Sequence, residues 1–396
     1  MTRIVDYIKR MFPLSQENNL ALGQFKELLN LAELKTLKAS LKDGKLRISS
    51  AKLGLNFIGD RSFPTVDISA HDKETMEAAE TINGKSERHA KEGVFKEITK
   101  NITINSRKFI ASGIVGLEAA KDAAFLQLCS KEQINILMIG DPGTGKTEIL
   151  RSCQEIAPIA EFGLGSGMSG VGLTVTVQGK AVQKGILPLA DKGMALIDEL
   201  NLMKKVDVGG LYNAMEKGFV TYDKAGKHYR FDARVSVLAT ANPRYSNFLG
   251  KSAEQLRKEI PFDAALLTRF HLVFFIRKPD INKFVEIAKG ILKQQISINE
   301  HDKKLMKEYI QKARQIDVEL PKEFEAQVVE FAKQLKKDEK KFLVEVNPRL
   351  VVGIVRLAKA KAASQLKNKV EAADLEIVKE LVQSSLYFSQ ESKQTM

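Results

Sequence analysis

Cysteine is scarce in this chain of 396 residues: Cys129 and Cys153 stand alone, outside any CxxC pair or Cys/His cluster. Their isolation excludes a disulfide-stapled scaffold, a zinc finger and a local redox pair, and fits a reducing compartment. Tryptophan is absent. The five histidines, at positions 71, 89, 228, 271 and 301, show no HExxH or His-x-His spacing and read as solvated or packed side chains. No G-x-S-x-G nucleophile turn occurs, and no internal repeat. Long hydrophobic runs are missing too. The longest uncharged stretch, Phe162 to Gly179, carries six glycines and reads as an irregular loop, so no membrane span is expected. Arg3, Asp6, Lys9 and Arg10 interrupt the opening residues before the apolar core of a signal peptide could form, and secretion is not expected.

What is present is the balance of a globular protein, 44% hydrophobic and 28% charged, which rules out disorder as the whole answer. The length allows two or three domains. Lys and Arg number 62 against 49 Asp and Glu, a net charge of +13. That excess is spread along the chain, with no basic tail. It permits a polyanionic partner without specifying one.

Residues 1–103 read as a small α-rich domain. Leu22, Phe25, Leu28, Leu29 and Ala32 recur near the helical period, and Leu46 to Ile58 is strand-like. Asp72 to Lys100 is strongly charged and reads as an exposed helix or helical linker. The pattern then changes to short apolar runs separated by helical stretches: Ile134 to Ile139, Met194 to Ile197, Val235 to Thr240 and Leu272 to Ile276. Such runs belong to a parallel sheet buried on both faces, so residues 104–280 are expected to form a three-layer α/β domain with its ligand at the carboxyl ends of the strands. Helical patterns at Asp302–Arg314, Glu323–Lys336, Arg349–Lys361 and Ala372–Leu386 suggest a helical lid over 281–390, with 391–396 a frayed tail.

The sharpest motif is Gly140-Asp141-Pro142-Gly143-Thr144-Gly145-Lys146-Thr147, directly after the first strand. This is a P-loop: its glycines let backbone N–H groups curl around a phosphate at a helix N-terminus. Lys146 would hold the β- and γ-phosphates of ATP and Thr147 a Mg²⁺ ion. A second apolar strand ends in Asp198-Glu199. Alternation along a strand would turn the two acids to opposite sides, Asp198 toward Mg²⁺ and Glu199 toward an attacking water. A third strand ends before Asn242-Pro243, where Asn242 could orient that water or merely begin a turn. Phe219 to Arg230 alternates around Lys224-Ala225-Gly226-Lys227, a hairpin with a basic tip that on composition alone is a solvated turn. Arg269 and Arg349 are too ordinary to carry a role by themselves.

Together these residues resemble an AAA+ ATPase and, more narrowly, the motor domain of the minichromosome maintenance (MCM) helicases, from about Ile104 to Leu386. Gly170-Val171-Gly172-Leu173-Thr174 is similar to the family's helix-2 insertion, and Lys224-Ala225-Gly226 to the turn of its presensor hairpin. Thr268-Arg269-Phe270 resembles its Ser-Arg-Phe, Arg349 matches its sensor-2 position, and Tyr309 to Arg314 is similar to a lid signature. The resemblance implies an ATPase ring, a homohexamer or similar, with single-stranded DNA in a central channel. Glu199 and Asn242 would serve hydrolysis, Arg269 and Arg349 would reach a neighbouring subunit's nucleotide, and Lys224 with Lys227 would face DNA. The expected location is a prokaryotic cytoplasm, at the nucleoid, in an archaeon or a mobile element.

This chain departs from the family in several places. Gly145 and Thr147 stand where MCM proteins usually have Ala and Ser. Leu200-Asn201-Leu202 replaces Phe-Asp-Lys, a change without an obvious catalytic consequence. About 100 residues precede the motor in place of a longer OB-fold region with its zinc module, and neither that zinc nor a winged helix after the lid is expected. The alternatives are a regulatory DNA-bound ring without helicase activity and a protein-remodelling or chelatase-type AAA+ ring.

Overall fold

The computed structural model describes residues 38–42, 45–50, 55–60, 66–69, 95, 98–100, 102–178, 181–224, 227–245, 248, 253–279, 285 and 299–386. The chain divides into two compact units, Met1–Lys100 and Asn101–Met396.

In the first unit β1 (Lys38–Lys42), β2 (Lys45–Ser50), β3 (Leu55–Asp60) and β4 (Val66–Ser69) pair antiparallel in chain order. The described residues here depart from the α-rich expectation. The strand-like patch Leu46 to Ile58 is two strands, paired Arg47 with Ile58 and Ile48 with Phe57. Asp43-Gly44 between β1 and β2 is a strong short-range hairpin signal that a search for helical periodicity passes over. The helical pattern around Leu22 lies outside the described residues. Of Asp72–Lys100 only Phe95 and residues 98–100 are described, as helix.

The second unit opens with α1 (Ile102–Phe109) and α2 (Glu118–Cys129), then β5 (Ile136–Gly140), whose five residues are all buried. The P-loop carries β5 into α3 (Lys146–Ile156), followed by β6 (Ala160–Leu164). Next come the short α4 (Gly170–Leu173), a hairpin of β7 (Val175–Gln178) and β8 (Ala181–Lys184), and the one-turn α5 (Ile186–Leu189). The Gly/Ser/Thr stretch is therefore ordered: the Ser169 hydroxyl caps α4 by accepting the Gly172 N–H at 3.3 Å. The chain continues through β9 (Met194–Asp198), α6 (Gly209–Lys217), the hairpin β10 (Phe219–Lys224) and β11 (Lys227–Asp232), and β12 (Ser236–Ala241). Two short helices, α7 (Ala253–Glu259) and α8 (Ala264–Leu267), lead to β13 (Leu272–Ile276).

Strands β13, β5, β12, β9 and β6 lie in that order in one parallel sheet. Every residue of β5, β9 and β12 is buried, which explains their apolar stretches Ile136–Ile139, Met194–Ile197 and Val237–Ala239; Ser236, Thr240 and Asp198 are the buried polar residues of β12 and β9. The edge strand β6 escapes a reading by apolar runs because it is Ala-Glu-Phe-Gly-Leu and only partly buried. The Gln127 side chain donates to the carbonyls of Ile134 and Val237 at 2.7 and 2.8 Å, pinning α2 to the entries of β5 and β12.

Four lid helices follow: α9 (Glu300–Gln315), α10 (Glu325–Asp338), α11 (Pro348–Ser364) and α12 (Ala372–Leu386). Asn299 and Asn347 cap α9 and α11 with their side-chain oxygens. The Tyr309 hydroxyl donates to the Ser364 carbonyl at 2.7 Å. Arg314 donates to the carbonyls of Leu128 at 3.2 Å and Lys192 at 2.6 Å, tying α9 to α2 and to the approach of β9. Burial pushes the Cys129 thiol up to about 12 and raises that of Cys153, leaving both protonated and inert. Among the described residues no helix is long and apolar enough to cross a membrane. The tail 391–396 lies outside them.

Candidate functional site

The P-loop leaves the carboxyl end of β5 with Gly143 and Gly145 at φ 78° and 86°, left-handed conformations that glycine adopts without a Cβ penalty. A Cβ on Gly145 would meet the Ile114 side chain at 3.0 Å, which gives a physical reason for glycine at this place. Lys146 opens α3 and is buried. Its ammonium donates to the carbonyls of Gly140 and Asp141 at 2.7 and 2.8 Å. Burial lowers its pKa to about 8, against the opposing pull of Asp141, Asp198 and Glu199. Thr144 donates its hydroxyl to the Asp141 carbonyl at 2.8 Å, while Pro142 is exposed and Thr147 half-buried. Free N–H groups at the start of α3 and one buried ammonium make an anion site.

Asp141 does more than fill a place in the motif. Its fully buried carboxylate accepts the N–H of Phe248 at 2.9 Å and that of Lys278 at 3.0 Å. One P-loop residue thereby ties down the segments that follow β12 and β13.

Asp198 ends β9 and is 4% exposed. Glu199 follows it in the left-handed conformation, φ 54° and ψ 43°, so the strand ends at Asp198 and its alternation does not extend to Glu199. Such a conformation costs a non-glycine residue roughly 1–3 kcal/mol and persists only where neighbours over-determine it. The Thr240 hydroxyl donates to the Asp198 carboxylate and accepts the Glu199 N–H at 3.0 Å. Gly165 lies against the Glu199 carbonyl so closely that a Cβ there would collide with it. Just past β12, the Asn242 N–H donates to the side-chain oxygen of Asn201 at 3.0 Å. Asn201, the middle residue of the Leu200-Asn201-Leu202 departure, thus holds the loop that carries Asn242. Because β5, β12 and β9 are neighbours, P-loop, Asn242 and both acids cluster at the carboxyl ends of three adjacent strands.

Arg269 is elsewhere. It precedes β13, and its carbonyl accepts the Asn135 side-chain N–H at 3.3 Å, level with the entry of β5. Leu272 pairs with Ile136 and Ile276 with Gly140, so at roughly 3.3 Å per residue the length of the sheet, about 15 Å, separates Arg269 from the P-loop. Its guanidinium stacks 4.5 Å from the Tyr212 ring centre, donates to the Ala265 carbonyl, and donates to Glu216 Oε2 at 3.0 Å. Arg349, at the capped start of α11, reaches Glu216 Oε1 at 3.2 Å. The two arginines share the Glu216 carboxylate, and among the described residues neither bonds a P-loop residue. His271, two residues after Arg269, accepts the Asn135 N–H on Nδ1 at 2.9 Å; burial, then Arg356 and Arg349, lower its pKa to about 4, so it adds no charge.

β10 and β11 pair from Phe219 with Asp232 to Lys224 with Lys227, the register of the expected hairpin. Lys224 and Lys227 form its outermost backbone pair; their side chains lie outside the described residues. Arg230 covers the Phe219 ring at 3.8 Å, and Asp223 pairs with His228. Only Gly218, at φ 72°, separates the hairpin from α6.

A P-loop on one strand, a buried acid ending another, an Asn after the strand between them and a helical lid define an AAA+ P-loop module. Residues 83–295 match the MCM P-loop domain family and residues 304–386 the MCM AAA-lid domain family. The chain belongs to the MCM family. It is 31% identical over 309 residues to DNA replication licensing factor mcm7 of Xenopus tropicalis, covering 70% of this chain and 42% of that protein. Mcm7 of Schizosaccharomyces pombe is 31% identical over 322 residues, 72% of this chain and 42% of that one. The minichromosome maintenance protein MCM of Saccharolobus solfataricus is 28% identical over 307 residues, 71% and 44%. The chain spans about two fifths of the length of these relatives.

Thr240 and Glu216 were not singled out by sequence reasoning, and Asn201 was named only within a departure given no catalytic consequence. Each is a common polar residue whose partner lies about 40 or more positions away. For Thr240, its place two residues before Asn242 is the one local hint.

Proposed function

We propose that this protein hydrolyses ATP as a ring, a homohexamer or similar, and uses the cycle to move on or unwind DNA, with single-stranded DNA in the central channel. The observation that carries the reading is the position of Arg269 and Arg349 at the end of the sheet remote from the P-loop. Arginines there cannot serve their own subunit's nucleotide, whereas a head-to-tail neighbour brings them to the next P-loop, and repetition closes a ring. The MCM relatives and the net charge of +13 support DNA as the polymer.

In this reading the P-loop N–H groups bind the phosphates and Lys146 exchanges its loop carbonyls for β- and γ-phosphate oxygens. Asp198 and Thr147 offer one carboxylate and one hydroxyl, hard oxygen donors too few to retain an ion alone, which suits Mg²⁺ arriving with the nucleotide. When bound, that ion neutralises charge on the phosphate oxygens. Glu199 accepts a proton from the attacking water, Asn242 orients it, and the neighbour's Arg269 and Arg349 stabilise charge on the transferring phosphoryl group. Lys224 and Lys227, at the hairpin end, are assigned to DNA phosphates. The place of action is the cytoplasmic nucleoid of a prokaryote, in keeping with the archaeal relative.

ATP hydrolysis by wild type and Glu199→Gln, with and without single-stranded DNA, alongside strand displacement on a forked duplex, tests the proposal. DNA-stimulated hydrolysis with unwinding, both lost in the variant, is the expected result. Hydrolysis indifferent to DNA, with no unwinding, would favour a regulatory or protein-remodelling ring.

A further inference from the structure

Glu216, one residue from the end of α6, takes the Arg269 Nη2 on Oε2 at 3.0 Å and the Arg349 Nη2 on Oε1 at 3.2 Å. The arginines come from separate stretches, one ahead of β13 and one at the start of α11, and no chain connectivity sets them side by side. Two guanidiniums at this separation repel, and a shared carboxylate is what keeps them together. Tyr212, one turn earlier on α6, supports the Arg269 guanidinium from its face, so a single helix provides both the ring and the acid. Arg269 Nε has no hydrogen-bond acceptor among the described residues. One negative charge against two positive leaves the cluster cationic and suited to a further anion.

We propose that Glu216 is a positioning residue that holds Arg269 and Arg349 as a preassembled pair for the terminal phosphate of a nucleotide bound to the adjacent copy. The inference rests on the reading above that both arginines act across a subunit contact. Fixing the two guanidiniums before the phosphate arrives removes reorganisation from the step in which charge develops. Glu216 touches neither phosphate nor water; it acts through the arginines.

Mixed rings test this. Lys146→Ala subunits keep Glu216 and both arginines but lack the phosphate grip, and Glu216→Ala subunits keep an intact P-loop and acids. Each alone is expected to hydrolyse ATP at least about tenfold more slowly than wild type. Mixed, they create contacts in which a sound nucleotide site faces a sound arginine pair, and hydrolysis rises several-fold above either variant alone. A carboxylate that serves only its own subunit's fold gives no such recovery, which would overturn the proposal. Mixing Lys146→Ala with Arg269→Ala separates the two claims. No recovery there removes the reading across subunits, while recovery there without recovery for Glu216→Ala removes Glu216 alone. Should Glu216→Ala not fold, Glu216→Gln replaces it in the mixture, and urea unfolding of the nucleotide-free protein verifies its fold. Combined with Arg349→Ala, Glu216→Gln is expected to slow hydrolysis little beyond the worse single variant; losses that multiply would contradict a shared role.

Discussion

Thr240 accepts the backbone N–H of Glu199 at 3.0 Å on the same hydroxyl that donates to the Asp198 carboxylate, so one side chain of β12 holds both the acid that ends β9 and the backbone of the acid that follows it. Valine nearly matches threonine in shape but lacks the hydroxyl. Thr240→Val strands a buried carboxylate oxygen and the Glu199 N–H, at an expected cost of about 1–3 kcal/mol in urea unfolding. Hydrolysis should fall while nucleotide affinity stays near wild type, and Thr240→Ser should restore both stability and rate. A valine variant indistinguishable from wild type would show the bond to be idle.

Asp141→Asn turns one of two acceptor oxygens into a donor that faces the N–H of Phe248 or Lys278. The nucleotide-free protein should lose about 1–3 kcal/mol. Thermal unfolding without nucleotide measures this directly, and an unchanged midpoint would mean that the two segments are held by other contacts.

With Lys146 gripping phosphate as proposed, nucleotide binding is expected to depend on pH. Its pKa is lowered by burial to about 8 in the free protein. Below about pH 8 the ammonium is charged with or without phosphate; above it the free lysine is neutral and phosphate binding restores the proton. Affinity should therefore decline as pH rises through about 8, with proton uptake on binding at pH 9, seen by calorimetry in two buffers of different ionisation enthalpy. The folding sign is opposite. The cost of burying the cation is full below about pH 8 and is relieved as pH climbs toward 10.5, so this group makes the nucleotide-free protein more stable over that window. Lys146→Arg, which stays charged throughout, should lose the uptake.

Lys224→Ala should weaken binding of single-stranded DNA and lower the slope of log affinity against log salt by about 0.7 per contact removed. Sequence preference should not change, since a phosphate contact carries none. Unaltered DNA affinity and unaltered DNA-stimulated hydrolysis would dismiss the hairpin assignment.

The residues assigned to the proposed chemistry are largely local in the sequence. The P-loop, the acid pair, Asn242 and the hairpin each sit where a short apolar strand meets a turn. Neighbours two to four positions apart are enough to specify a strand, a helix or a phosphate-binding turn. For the same reason the four lid helices were legible within about two residues at most ends. Local patterns failed where they were weak or merged. Glycine interrupts β6, and the run Leu46–Ile58 reads as one strand although it holds two. No periodicity could pair Thr240 with Asp198, Asn201 with Asn242, or Glu216 with both Arg269 and Arg349. Those partnerships are set by the order β13-β5-β12-β9-β6, which brings together side chains 40 to 130 residues apart and places Arg269 at the end of the sheet away from its own P-loop. The residue types that can do the chemistry are written along the chain, whereas which of them meet is decided by strand order and by the lid's return to the sheet.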